Sequence, residues 1–189
     1  PLKTNESPLP ILVQGIKKAG FRPGKDIAIS LDPATSEVFA KGIYNMPLDK
    51  KKMKADKLIN MFERWVKKYP VVTLEDPLAE DDWENWSAIY KRIGKKVKIV
   101  GDDLTVTNKE RLQKAIDLKA IDTILIKPNQ IGSVSETIDT MLLAHKHKIG
   151  TVISHRGGGE TADAFIIDLG VATNALWYKV GPTRGERTE

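Results

Sequence analysis

The chain has 189 residues, a formal charge of +5 and 41% hydrophobic residues, enough for one sizeable core. No stretch approaches the roughly 18 unbroken apolar residues of a membrane helix, and none reads as a secretory signal. With no cysteine, disulfides, thiolate nucleophiles and cysteine-ligated zinc are excluded, which suits a reducing, cytoplasmic compartment.

In chain order, a helix is expected over 9–19, stopped by Gly20. The first apolar run, Ile27-Ala28-Ile29-Ser30-Leu31, ends at Asp32. Lys50, Lys51, Lys52, Lys54 and Lys57 form a basic run that could address nucleic acid. No RNA-binding motif or aromatic interleaving accompanies it, so it reads as a solvated helix entrance. Leu58, Met61, Phe62 and Trp65 fall at i, i+3, i+4 and i+7 and predict a helix over 56–69. Val71-Val72-Thr73-Leu74 then ends at Glu75. Trp86, Ile89, Tyr90 and Ile93 repeat the helical spacing over 82–94, before Val97-Lys98-Ile99-Val100-Gly101 ends at Asp102.

Thr107 with Glu110, and Ser133 with Glu136, are capping signals that open helices over 108–119 and 134–148. Between them Ile124-Leu125-Ile126 ends at Lys127. Thr151-Val152-Ile153-Ser154 ends at His155, a helix is expected over 161–171, and Ala175-Leu176-Trp177-Tyr178 ends at Lys179. The gaps between the six polar strand ends are 43, 27, 25, 28 and 24 residues. Each is long enough for a helix to return the chain to a parallel neighbour.

Short, near-continuously apolar strands alternating with helices indicate an α/β fold on a buried parallel sheet. A doubly wound sheet would gather ligands at one crevice, whereas a (β/α) barrel gathers them from many strand ends. Six polar ends in succession favour the barrel. A complete one needs about 250 residues, so residues 1–189 are expected to form one domain, an incomplete TIM-type barrel of about six βα units.

Asp32, Glu75 and Asp102 end three successive strands. Converging carboxylates repel unless a cation sits among them, and a hard divalent ion such as Mg2+ prefers such oxygen donors. Asp76 and Asp103 adjoin two of them and, by strand alternation, should point the opposite way. Lys127 and Lys179 should face the same mouth, where a desolvated lysine can act as a base. His155 and Arg156 offer an imidazole and a guanidinium fork suited to phosphate or carboxylate. The following Gly157-Gly158-Gly159 could bring backbone amides to an anion.

These segments resemble enolase, the Mg2+-dependent hydratase that interconverts 2-phosphoglycerate and phosphoenolpyruvate. The likeness runs through Leu2-Lys3-Thr4-Asn5-Glu6, Ser36-Glu37, Glu75-Asp76-Pro77-Leu78 and Glu80-Asp81-Asp82-Trp83. It continues through Gly101-Asp102-Asp103-Leu104, Lys127-Pro128-Asn129-Gln130-Ile131-Gly132 and Ser154-His155-Arg156. The resemblance implies that Asp32, Glu75 and Asp102 ligate magnesium and that Lys127 removes the carbon-bound proton. It further implies that Lys179 binds the substrate carboxylate, His155 lies near the reacting hydroxyl and Arg156 holds the phosphate.

Departures from the family follow from the same alignment of motifs. Gly157 replaces the family's serine after His-Arg, with one extra glycine before Glu160-Thr161, and Gly181-Pro182-Thr183-Arg184 is one residue shorter than usual. The family's general acid, a glutamate in a Gly-Asp-Glu-Gly-Gly segment, lies upstream of the stretch matched by Pro1 to Glu6. The chain is therefore expected to be a piece of a longer lyase, inactive or nearly so alone, that self-associates or captures its missing amino-terminal half. The alternative is a non-enzymatic binding or assembly module derived from enolase.

Overall fold

The computed structural model describes residues 2–155 and 164–181. The chain packs as two compact units, Pro1–Ile99 and Val100–Glu189.

In the first unit, helix α1 (Pro8–Lys18) opens with proline in its first turn and ends before Gly20, whose φ of 84° is left-handed. Strand β1 (Ile29–Leu31) follows. The long gap after Asp32 holds more than the expected helix. A 3-10 turn at Thr35–Val38 leads into an antiparallel sheet of β2 (Phe39–Ala40), β3 (Ile43–Met46) and β4 (Lys51–Met53). Lys51 and Lys52 are thus strand residues rather than a helix entrance, although they are exposed as expected. Charged residues on so short an edge strand keep it from pairing with other chains.

Helix α2 (Ala55–Lys68) buries Leu58, Met61, Phe62 and Trp65, the stripe its spacing predicts. Leu58 and Phe62 are at most 1% exposed, and such burial stabilises the fold by roughly 1.5–3 kcal/mol per side chain. Strand β5 (Val71–Glu75) pairs parallel with β1, with Leu31 opposite Leu74. Helix α3 (Trp83–Ile93) buries Trp86, Ile89 and Ile93. On its outer side Arg92 bridges to Asn60 at 2.6 Å, and to Glu63 and Asp56, tying α3 to α2.

Strand β6 (Lys98–Gly101) crosses the boundary between the units. The second unit continues with α4 (Lys109–Asp117), β7 (Thr123–Ile126), α5 (Pro128–Ile131), α6 (Val134–Lys146), β8 (Gly150–Ser154), α7 (Phe165–Ala172) and β9 (Trp177–Lys179). Strands β6, β7, β8 and β9 pair in that order, all parallel. Val100, Leu125 and Val152 meet in a buried apolar cluster. Residues 161–163 of the helix expected over 161–171 lie outside the described residues.

Ser133 caps α6 as expected, accepting from the Glu136 amide at 3.2 Å and donating to Glu136 Oε2 at 2.6 Å. The cap of α4 is different: Asn108 Oδ1 accepts from the Arg111 amide at 2.9 Å. Thr107 is one residue too early, and its backbone is left-handed at φ 56°. Among the described residues β1 pairs only with β5 and β9 only with β8, so both are edges. No helix among them is long and apolar enough to cross a membrane.

Candidate active site

In the first unit the register of β1 on β5 brings two predicted carboxylates to one end. Leu31 and Leu74 are partners, so Asp32 and Glu75 are the next residues on parallel strands. Glu75 is 4% exposed, whereas Asp32 lies open to solvent. The backbone then turns at Asp76, which is buried with φ 40°. The extended geometry behind the expected opposite orientation of Asp76 therefore stops at Glu75.

The segment after Glu75 is clamped from several elements. Thr35 donates its amide to the Asp76 carbonyl at 3.2 Å, and Ser36 Oγ accepts from the Glu80 amide at 3.0 Å. Trp86 Nε1 donates to the Ala79 carbonyl at 2.9 Å. Tyr44, fully buried on β3, accepts from the Ala79 amide at 3.0 Å and donates to Asp82 Oδ2 at 2.8 Å. Burial pushes the Tyr44 hydroxyl well above its usual pKa, and the neighbouring Asp82 charge adds to the shift. The small antiparallel sheet thus positions the loop that follows Glu75, a role no motif in the sequence signals.

In the second unit Asp102 follows β6 directly and Lys127 follows β7 directly. Gly101 is opposite Ile124, so the two charged residues are staggered, and the long lysine side chain reaches back across the difference. Lys127 Nζ lies 2.5 Å from Asp102 Oδ2, with side chains only 15% and 9% exposed. Gln130 Nε2 donates to Asp102 Oδ1 at 3.3 Å. Asp103 brings a carboxylate oxygen within 4.8 Å of one on Asp102. Strand alternation does not hold them apart, because the chain turns after Gly101, with Asp102 O accepting from the Thr105 and Val106 amides.

His155 and Lys179 are also brought near one another. Ser154 is opposite Lys179, and its hydroxyl donates to both the His155 and Lys179 carbonyls at 2.9 Å. The Gly181 amide donates to His155 Nδ1 at 3.2 Å, so the neutral ring carries its proton on Nε2. Arg156 and the glycines after it lie outside the described residues. Sequence reasoning missed Gln130 and Thr107, which contact Asp102 and Lys127 respectively. Gln130 sits in the Lys127 segment at i+3, but Thr107 resembled a helix cap.

Over residues 1–189 the sequence matches the family model described as "Enolase, C-terminal TIM barrel domain". The chain belongs to the enolase family. It is similar to Enolase 1 of Methanospirillum hungatei JF-1, with 44% identity over 189 residues, covering all of this chain and 44% of that protein. The chain therefore spans less than half the length of this curated relative. Its parallel strands alternating with helices are the α/β architecture expected of an enolase C-terminal TIM barrel domain, as the sequence predicts.

Proposed function

We propose that this chain is the carboxy-terminal barrel portion, a single domain, of a cytoplasmic lyase of glycolysis and gluconeogenesis that dehydrates 2-phosphoglycerate to phosphoenolpyruvate with Mg2+. The observation that carries this reading is the Lys127–Asp102 pair at neighbouring strand ends, in segments that follow the enolase pattern.

The donors fit magnesium chemically. Asp32, Glu75 and Asp102 offer only oxygen, each at the carboxyl end of a strand, and Glu75 and Asp102 are at least nine-tenths buried. Buried carboxylates demand a positive partner, and Asp102 already takes the Lys127 ammonium. In the enolase pattern these three residues would hold the ion, whose charge would stabilise the second negative charge that forms on the substrate carboxylate.

Lys127, as the amine and released from Asp102, takes the carbon-bound proton on Nζ. Lys179 binds the substrate carboxylate and adds to its charge stabilisation. His155, with its proton on Nε2, presents a donor toward the reacting hydroxyl, and Arg156 grips the phosphate. The departing hydroxide needs an acid to protonate it, and none of the residues named here is assigned that role. Lys127→Ala in the complete enzyme is expected to abolish exchange of the carbon-bound proton with solvent. Exchange at the wild-type rate would place the base elsewhere.

A further inference from the structure

Lys127 is held at two points, and both holds lead into one closed ring of hydrogen bonds. Its backbone N–H donates to Thr107 Oγ1 at 2.9 Å, and Thr107 Oγ1 lies 3.1 Å from Gln130 Oε1. Gln130 Nε2 donates to Asp102 Oδ1 at 3.3 Å, and Asp102 Oδ2 accepts from Lys127 Nζ at 2.5 Å. The proton directions are forced. A threonine hydroxyl that accepts from an amide sends its single proton to the remaining acceptor, Gln130 Oε1, which turns the amide NH2 toward Asp102. Each carboxylate oxygen of Asp102 thus has its own donor.

Thr107 is itself fixed. It is fully buried, its carbonyl accepts from Thr140 Oγ1 of α6 at 2.9 Å, and it follows Val106 in a pair of left-handed residues, φ 45° and 56°. Two β-branched residues adopt that region only where their surroundings impose it. The turn aims the Thr107 hydroxyl at Lys127 instead of at its own helix, which Asn108 caps.

We infer that Thr107 and Gln130 are positioning residues that set the base, Lys127, against the metal-ligating carboxylate, Asp102. The inference rests on the functional reading above. Thr107 acts through the Lys127 backbone and Gln130 through Asp102. A merely structural turn would lose thermal stability on mutation without changing metal affinity or the proton-transfer step.

The test uses the complete enzyme, with Mg2+ calorimetry, kcat and KM, and exchange of the carbon-bound proton measured together. Thr107→Val keeps the shape and removes the hydroxyl. Gln130→Glu keeps an acceptor for Thr107 but sets an oxygen against Asp102. Both are expected to weaken Mg2+ binding and lower kcat and exchange on the order of 10–100-fold, with KM little changed. Thr107→Ser, which restores the hydroxyl, should recover most of the loss. Unchanged isotherms and exchange in both variants would overturn the inference, as would a Thr107→Ser as impaired as Thr107→Val. Should Thr107→Val fail to fold, Gln130→Glu and Thr107→Ser carry the test. Lys127→Ala measured alongside separates the two claims: full exchange there refutes the assigned base, not the ring alone.

Discussion

Replacing Tyr44 by Phe tests whether the antiparallel sheet holds the loop that follows Glu75. The hydroxyl serves two partners, and they differ in what they lose. Ala79 is buried, so its amide is left without an acceptor, at a cost of about 1–3 kcal/mol. Asp82 is half-buried and keeps the Asn85 side-chain donor at 2.7 Å, so its loss costs about 0.5–1.5 kcal/mol. A net destabilisation of about 1.5–4.5 kcal/mol lowers Tm by roughly 3–18 °C for a chain of this size. The pH dependence has a definite sign. Burial raises the folded Tyr44 above its ordinary value of 10.0. Its contribution is therefore fully present below about pH 10 and is lost as pH rises beyond that value toward the folded pKa. The gap in Tm between wild type and Tyr44→Phe should then be constant at neutral pH and narrow above pH 10. Calorimetric melting across pH measures both effects. A variant that melts within about 1 °C of wild type at pH 7 would show that the Ala79 amide has another acceptor, and the clamp argument would fail.

Asp102→Ala is expected to weaken Mg2+ binding strongly in calorimetry, and an unchanged isotherm would remove Asp102 from the ligand set. Glu63, beside Lys67 and Arg92, titrates at about 2 in the folded chain. Its stabilising contribution is present above its usual value of 4.5 and is lost as pH falls through about 2, so Glu63→Gln should shrink the acid-induced loss of stability only in that window. The edge strands β1 and β9, with Leu176, Trp177 and Tyr178 all exposed, predict that the isolated chain self-associates. Sedimentation showing a stable monomer would contradict this. A coupled phosphoenolpyruvate assay of the isolated chain should find at most trace turnover, because none of the residues named here is assigned to protonate the departing hydroxide and such an acid contributes on the order of 100–10,000-fold in rate.

The parts of the fold that sequence reasoning recovered are those written in periodicity. Leu58, Met61, Phe62 and Trp65 predict one buried helix face, and each of them is buried in α2. The apolar runs ending at Glu75, Asp102 and Lys127 become strands that end at or beside those residues. The small antiparallel sheet was invisible because Phe39–Ala40 and Lys51–Met53 are too short, and the second too rich in lysine, to show a two-residue alternation. Partner choice was equally hidden. Thr107 with Glu110 satisfies the capping pattern in one dimension, yet the left-handed turn at Val106 and Thr107 moves the cap to Asn108 and sends the threonine hydroxyl to a lysine 20 residues further on. A strand-end position tells which rim a charged side chain occupies. Which neighbour it meets there depends on stagger: Gly101 opposite Ile124 leaves Lys127 beyond Asp102, and only a side chain as long as lysine closes that distance to a 2.5 Å contact. A shorter cation at residue 127 would satisfy the same sequence pattern and leave Asp102 without that partner.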